Sequence, residues 1–261
     1  MTTPRRVAIV TGASSGIGRA TALRLARGGW TVALVARRAK DLDAVRQQVK
    51  AAGGAALVLV ADLGKLRDID YVVTETLAIG GRIDALVNVA GIGGLNSVAT
   101  AADDDVQRMI STNLLAPIRL MRAVIPIMRA QGGGTIVNIG SVKGEIGIGG
   151  IYSATKFGLR GLTDSVRREV AGTGIRVCLV EPGYIATAMT AHRGRRMPGP
   201  DIVARAIEDC LAKPRRRIVV PGRYRIPDLG QHPAPRTRGQ PLRRQDHRID
   251  LTCATELART P

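Results

Sequence analysis

Aromatic side chains are almost missing from this chain: one Trp, one Phe and four Tyr in 261 residues. The core must therefore be built from Val, Ile, Leu and Ala, which suits strands buried on both faces of a parallel sheet. The same scarcity removes the interleaved aromatics on which nucleic-acid binders stack bases, leaving nonspecific phosphate attraction at most. Cysteine is also sparse. Cys178, Cys210 and Cys253 are far apart and odd in number, with no CxxC spacing, so neither a disulfide framework nor a metal site is indicated, and a reduced, cytoplasmic setting is expected. Near the start, Arg5 and Arg6 precede an apolar run of only four residues, Val7 to Val10, too short for a signal-peptide core or a membrane span. Acidic residues are few against Lys and Arg, 21 to 39, for a net charge of +18. Half of that excess lies in one stretch. Between Lys213 and Arg248, eleven basic and two acidic residues leave a balance of +9.

What the chain does have is alternation. Buried-strand runs at Val7 to Val10, Thr31 to Ala36, Ala56 to Val60, Ala85 to Val89, Thr135 to Ile139, Ile175 to Val180 and Ile218 to Val220 are separated by stretches of helical length. Those stretches include Ile17 to Arg27, Leu42 to Ala52, Val106 to Arg129, Thr155 to Ala171 and Ile202 to Ala212. This order predicts a single-domain, doubly wound α/β Rossmann fold with a seven-stranded parallel sheet and helices on both faces. Residues 1–222 form that unit, and 223–261 read as a flexible basic tail rich in Pro and Arg. A second irregular stretch, Ala188 to Pro200, also does not read as core.

The first strand ends in TGASSGIG, where Gly12, Gly16 and Gly18 allow positive φ and let a pyrophosphate approach the backbone at a helix N-terminus. Ser14, Ser15 and Ile17 fill out this cradle. Taken alone, the motif is also compatible with a plain strand-to-helix turn; its place after the first strand favours dinucleotide binding. About 20 residues on, where NAD-binding folds carry an acid for the ribose, stand Arg37 and Arg38. Two guanidinium groups match a 2′-phosphate, so NADP(H) is expected, although a pair of solvated surface arginines would look the same.

Tyr152 and Lys156 in YSATK lie four residues apart on one helix face. An ammonium one turn away favours the phenolate, which makes the phenol a usable acid/base. By itself such a pair is also ordinary helix surface. Ser141, after the fifth strand, is placed to hydrogen-bond a reacting carbonyl or simply to sit in a loop. Asn113, a poor helix former inside a long helical stretch, allows a local backbone hydrogen bond as its bland reading.

Together TGASSGIG, NVAG (Asn88 to Gly91), STNLLAP, NIGSVKG, YSATK and EPGYIAT, in this order, resemble the short-chain dehydrogenase/reductase family from about Val7 to Gly222. The resemblance implies hydride exchange between a nicotinamide and a carbonyl or secondary alcohol. In it Tyr152 is the general acid/base, Lys156 lowers its pKa and bonds the nicotinamide ribose, and Ser141 orients the substrate. Asn113 holds a proton-relaying water. Asp62 and Leu63 flank the adenine; Asn88, Ala90 and Gly91 shape the cofactor floor; Pro182, Gly183, Ile185 and Thr187 grip the nicotinamide end. A homodimer or homotetramer through the two long helices is implied as well.

Three departures from the family pattern stand out. Val89 occupies the place of a second asparagine, so a hydrogen bond tying strands together is expected to be missing. The interval from Ser141 to Tyr152 is eleven residues, about two short, and glycine-rich. The chain after Gly222 lacks an apolar closing segment, so the small-molecule substrate is not named. The basic residues from His192 to Arg196 admit an acidic substrate or a solvated charge run. A rival reading is a dinucleotide-fold binding module whose tail meets anionic surfaces.

Overall fold

Every β-branched run forms a strand in the computed structural model, which describes residues 5–94, 97–194 and 196–224, with residues 192 and 193 described by their backbone alone. The strands are β1 (Val7–Thr11), β2 (Thr31–Ala36), β3 (Ala55–Val60), β4 (Ala85–Asn88), β5 (Gly134–Ile139), β6 (Ile175–Pro182) and β7 (Arg217–Val220). All pair in parallel, in the order β3-β2-β1-β4-β5-β6-β7. The order reverses between β1 and β4, and that switch opens a crevice at the carboxyl ends of the strands.

Between the strands run α1 (Gly16–Arg27), α2 (Ala39–Ala51), α3 (Leu66–Gly80), α4 (Asp103–Ile110), α5 (Ala116–Ala130), α6 (Lys143–Ile146), α7 (Gly150–Glu169) and α8 (Asp201–Ala212). Strand side chains alternate between faces, so Ala8 and Val10 join one core while Ile9 joins the other. The first core is closed by Leu25 of α1, Val45 of α2 and Ile207 of α8. The second is closed by Val72 of α3, Leu120 of α5 and Val166 of α7. The fold class read from the alternation of apolar runs is the one observed.

The helical stretch expected over Val106 to Arg129 is not one regular helix. A π turn, Ser111–Leu115, joins α4 to α5. Its extra residue rotates Asn113 fully into the interior, where an ordinary helical turn would point it elsewhere. Within the helical segment Asp103–Ala130 one 18-residue window, with a mean hydropathy of 1.2, is apolar enough to cross a membrane by length and composition alone. Its apolar side is taken up by the sheet, on which Leu120, Met121, Val124 and Met128 are buried.

Two further stretches bear on the site. Val89 brings no side-chain hydrogen bond, but a neighbouring tie holds the strands: Asn88 Nδ2 donates to Asn138 Oδ1 at 2.8 Å, joining β4 to β5. The stretch after Thr187 is not wholly irregular, since Ala188–Arg193 forms a 3-10 helix. The tail beyond residue 224, Cys253 with it, and Arg195 lie outside the described residues, as do the side chains of His192 and Arg193.

Candidate active site

Two adjoining cavities, of about 570 and 420 Å³, occupy the crevice at the switch point. Ile17, Val89, Gly91, Ile92, Thr187 and Met189 line both, so they form one continuous trough.

The smaller cavity holds the glycine turn. Gly12 has φ +66, and a Cβ on Gly18 would stand 2.2 Å from the Gly12 carbonyl oxygen. The loop thus folds back on the start of α1 more tightly than any side chain permits, and leaves bare backbone facing the cavity. Ser14, Ser15, Gly16, Arg37, Arg38, Asp62, Leu63, Ala90 and Gly91 share this wall. Arg38 Nη2 donates to Ser14 Oγ at 3.3 Å, while its Nε pairs with Asp41 at 2.7 Å. Arg37 is exposed and has no polar partner among the described residues. A glycine cradle beside an unpaired guanidinium fits a dinucleotide bearing an extra phosphate.

The larger cavity collects Ser141, Tyr152, Lys156, Pro182, Gly183, Ile185 and Thr187. Lys156 is buried; its Nζ donates to the Ile139 carbonyl at 2.8 Å and lies 5.8 Å from the centre of the Tyr152 ring. Burial lowers the Lys156 ammonium to about 8. The Tyr152 phenol is pushed up by burial and drawn back by a hydrogen bond with Ser141. The arrangement can therefore hold a carbonyl oxygen between two hydroxyls and deliver a proton to it, with a cation behind the phenol.

The depressed lysine carries a testable sign. The unfolded chain binds this proton up to about 10.5 and the folded chain only to about 8, so the cost of burying the ammonium is complete below pH 8 and fades above it. Denaturant titrations of the ligand-free protein at pH 8 and 9.5 are expected to show a gain on the order of 1–2 kcal/mol for the wild type relative to Lys156→Met, which lacks this proton.

Asn113 makes no local bond. Its Oδ1 accepts from Ile92 N at 2.8 Å, and its Nδ2 donates to the Ile92 carbonyl at 2.9 Å and to Thr155 Oγ1 at 3.2 Å. The helical stretch is thereby fastened to the loop after β4 and to α7. A Cβ on Gly91 would stand 3.3 Å from Asn113 Oδ1 and 3.7 Å from Lys156 Nζ, so Gly91 sits between them. Asn88 is buried and does not line either cavity; it acts beneath the floor through Asn138.

Several lining residues escaped the sequence reading. Ile92, Gly93, Lys143, Tyr184 and Met189 line the larger cavity. Tyr224 lies over Gly183, where a Cβ would stand 2.2 Å from its ring, and meets Tyr184 edge-on with centroids 6.2 Å apart. The folded unit thus extends past the boundary placed at 222. Tyr184 was within reach, since it directly follows Pro182 and Gly183.

Residues 6–198 match a family model described as short chain dehydrogenase. A 3-oxoacyl-[acyl-carrier-protein] reductase from Synechocystis sp. is 41% identical over 190 residues, 72% of this chain and 77% of its own. Among solved structures, a metagenomic short-chain oxidoreductase in complex with NADP superposes with a TM-score of 0.74 at 36% identity, covering 82% of this chain and 96% of that one. A 3-ketoacyl-(acyl-carrier-protein) reductase from Brucella melitensis, complexed with NADH, gives a TM-score of 0.77 at 26% identity, covering 84% and 98%.

Proposed function

We infer, from the chain's membership of the short-chain dehydrogenase family, that it is an NADP(H)-dependent oxidoreductase interconverting a small-molecule carbonyl and a secondary alcohol. The observation that carries this reading is the continuity of the glycine cradle with the wall bearing Tyr152, Lys156 and Ser141.

When bound, NADPH supplies the hydride. Gly12, Ser14, Ser15, Gly16, Ile17 and Gly18 would hold its pyrophosphate, and Arg37 and Arg38 its 2′-phosphate. Asp62 and Leu63 bound the adenine. Asn88 supports the floor made by Ala90 and Gly91, and Pro182, Gly183, Ile185 and Thr187 close the nicotinamide end. Ser141 and Tyr152 orient the carbonyl oxygen. As the alcohol forms, Tyr152 gives its phenolic proton to that oxygen, and the Lys156 ammonium stabilises the phenolate left behind. Asn113 keeps the β4 loop and α7 in register beside the lysine and is read as the anchor of the proton-relay water. In the oxidising direction Tyr152 takes the proton back.

A Cβ at residue 18 cannot coexist with the present turn. Gly18→Ala is therefore expected to weaken NADPH binding on the order of tenfold or more, about 1.4 kcal/mol, in a fluorescence titration.

The name of the Synechocystis relative makes 3-oxoacyl thioesters the first substrates to test, beside ketones and quinones. NADPH consumption with at least one of them supports the assignment. Tight NADPH binding with no consumption across the panel removes it. Free, buried Cys178 and Cys210 suit the cytoplasm, and the half-exposed Phe157 on α7 suits a homo-oligomer packed through that helix.

A further inference from the structure

The loop that carries Ser141 has little to hold it. It reaches Tyr152 in eleven residues, four of them Gly144, Gly147, Gly149 and Gly150, which have no side chains to pack. Its one helical element, α6, has four residues, far below the length at which a helix supports itself. Yet the loop must stay put. Gly144 N donates to the Ser141 carbonyl at 2.8 Å, and Lys143 N donates to Ser141 Oγ at 3.2 Å. A Cβ on Gly144 would stand 2.9 Å from the Lys156 backbone, so α6 rests directly on the lysine's own turn.

The hold comes from behind the loop. Arg217, the first residue of β7, donates from Nη2 to Glu145 of α6 and from Nε to Glu181 of β6. Arg160 of α7 stands 3.4 Å from the other Glu145 oxygen. Glu181 is fully buried immediately before Pro182, and its Oε1 has no hydrogen-bond partner among the described residues, so its charge depends on Arg217. Buried ionic clusters of this kind contribute little net stability compared with apolar packing, so the role of this one is sought in the geometry it fixes. Here the geometry fixed is that of a loop whose own packing is confined to the buried Val142 and the seat of Gly144 on Lys156.

We propose that Glu181, Arg217 and Glu145 are positioning residues that tie α6 to the sheet and thereby set the place of Ser141 relative to Tyr152. The proposal rests on the reading of Ser141 and Tyr152 given above. None of the three lines either cavity, so they act only through the residues they support.

The test uses two variants of the full chain, Glu145→Gln and the double variant Arg217→Met with Glu181→Leu. The second leaves no orphaned buried charge at Glu181 and so is expected to fold. Expected are faster amide exchange in residues 141–146 with the rest of the sheet unchanged, and an unchanged Kd for NADPH. In the double variant kcat falls on the order of 100-fold, as a misplacement of about 1 Å produces, with a smaller loss in Glu145→Gln. Unchanged exchange in 141–146, faster exchange spread over the whole sheet, or an unaltered kcat would each overturn the proposal. Amide exchange is read without turnover, so a wild type that reduces no carbonyl would remove the functional reading while the tether is still decided.

Discussion

Tyr152→Phe is expected to lower kcat by about 10²–10⁴-fold, the range a positioned general acid supplies. NADPH affinity should stay roughly that of the wild type, because the ring remains and only a hydroxyl leaves. The phenol lies on the wall of the larger cavity beside Ser141, its proton held by burial until a carbonyl oxygen arrives. Lys156, fastened to the Ile139 carbonyl, is placed to take up the charge that proton transfer leaves. The Phe variant removes the proton and keeps the shape, so steady-state rates and a cofactor titration together separate chemistry from binding. Comparable kcat for the two proteins would assign the proton to another group.

The second large effect concerns cofactor choice. With Arg37→Ala and Arg38→Ala combined, kcat/KM for NADPH is expected to fall about 100-fold, from about 1.5 kcal/mol for each lost charge-assisted hydrogen bond at an exposed site. NADH, lacking the 2′-phosphate, should be used about as well as before. Arg37 carries the larger share: it has no protein partner among the described residues, whereas Arg38 is already shared with Asp41 and Ser14. Paired measurements with both cofactors decide it. Parallel losses for NADH and NADPH would mean that the arginines shape the loop and do not read the phosphate.

These expectations were partly open to the sequence for a physical reason. Strands such as Val32 to Val35, buried on both faces, must be apolar throughout, so their runs are visible in one dimension. Glycine at 12 is demanded by its own positive φ and glycine at 18 by the Gly12 carbonyl just before it in the chain, and Tyr152 and Lys156 fall on one face by helical period. Asn113 was legible as an oddity but not in its role, because its partners are in the loop after β4 and on α7. Arg217 fell within the basic stretch from Lys213 to Arg248, and Glu145 and Glu181 stood out in no local pattern. Only the pairing of β7 with β6 brings them together, and no local pattern records that pairing. Tyr224 was assigned to a tail for the same reason: its partner Gly183 is a residue that the sheet, and not the chain, makes its neighbour.

The most direct test of the account is isotopic. The wild-type protein is given NADPH carrying two deuteriums at the hydride-donating carbon, with 3-oxoacyl thioesters and ketones offered in turn. The account predicts, for at least one carbonyl, an alcohol with a single deuterium on the new carbinol carbon. Products without that label, or NADPH that binds and is never consumed, would contradict it.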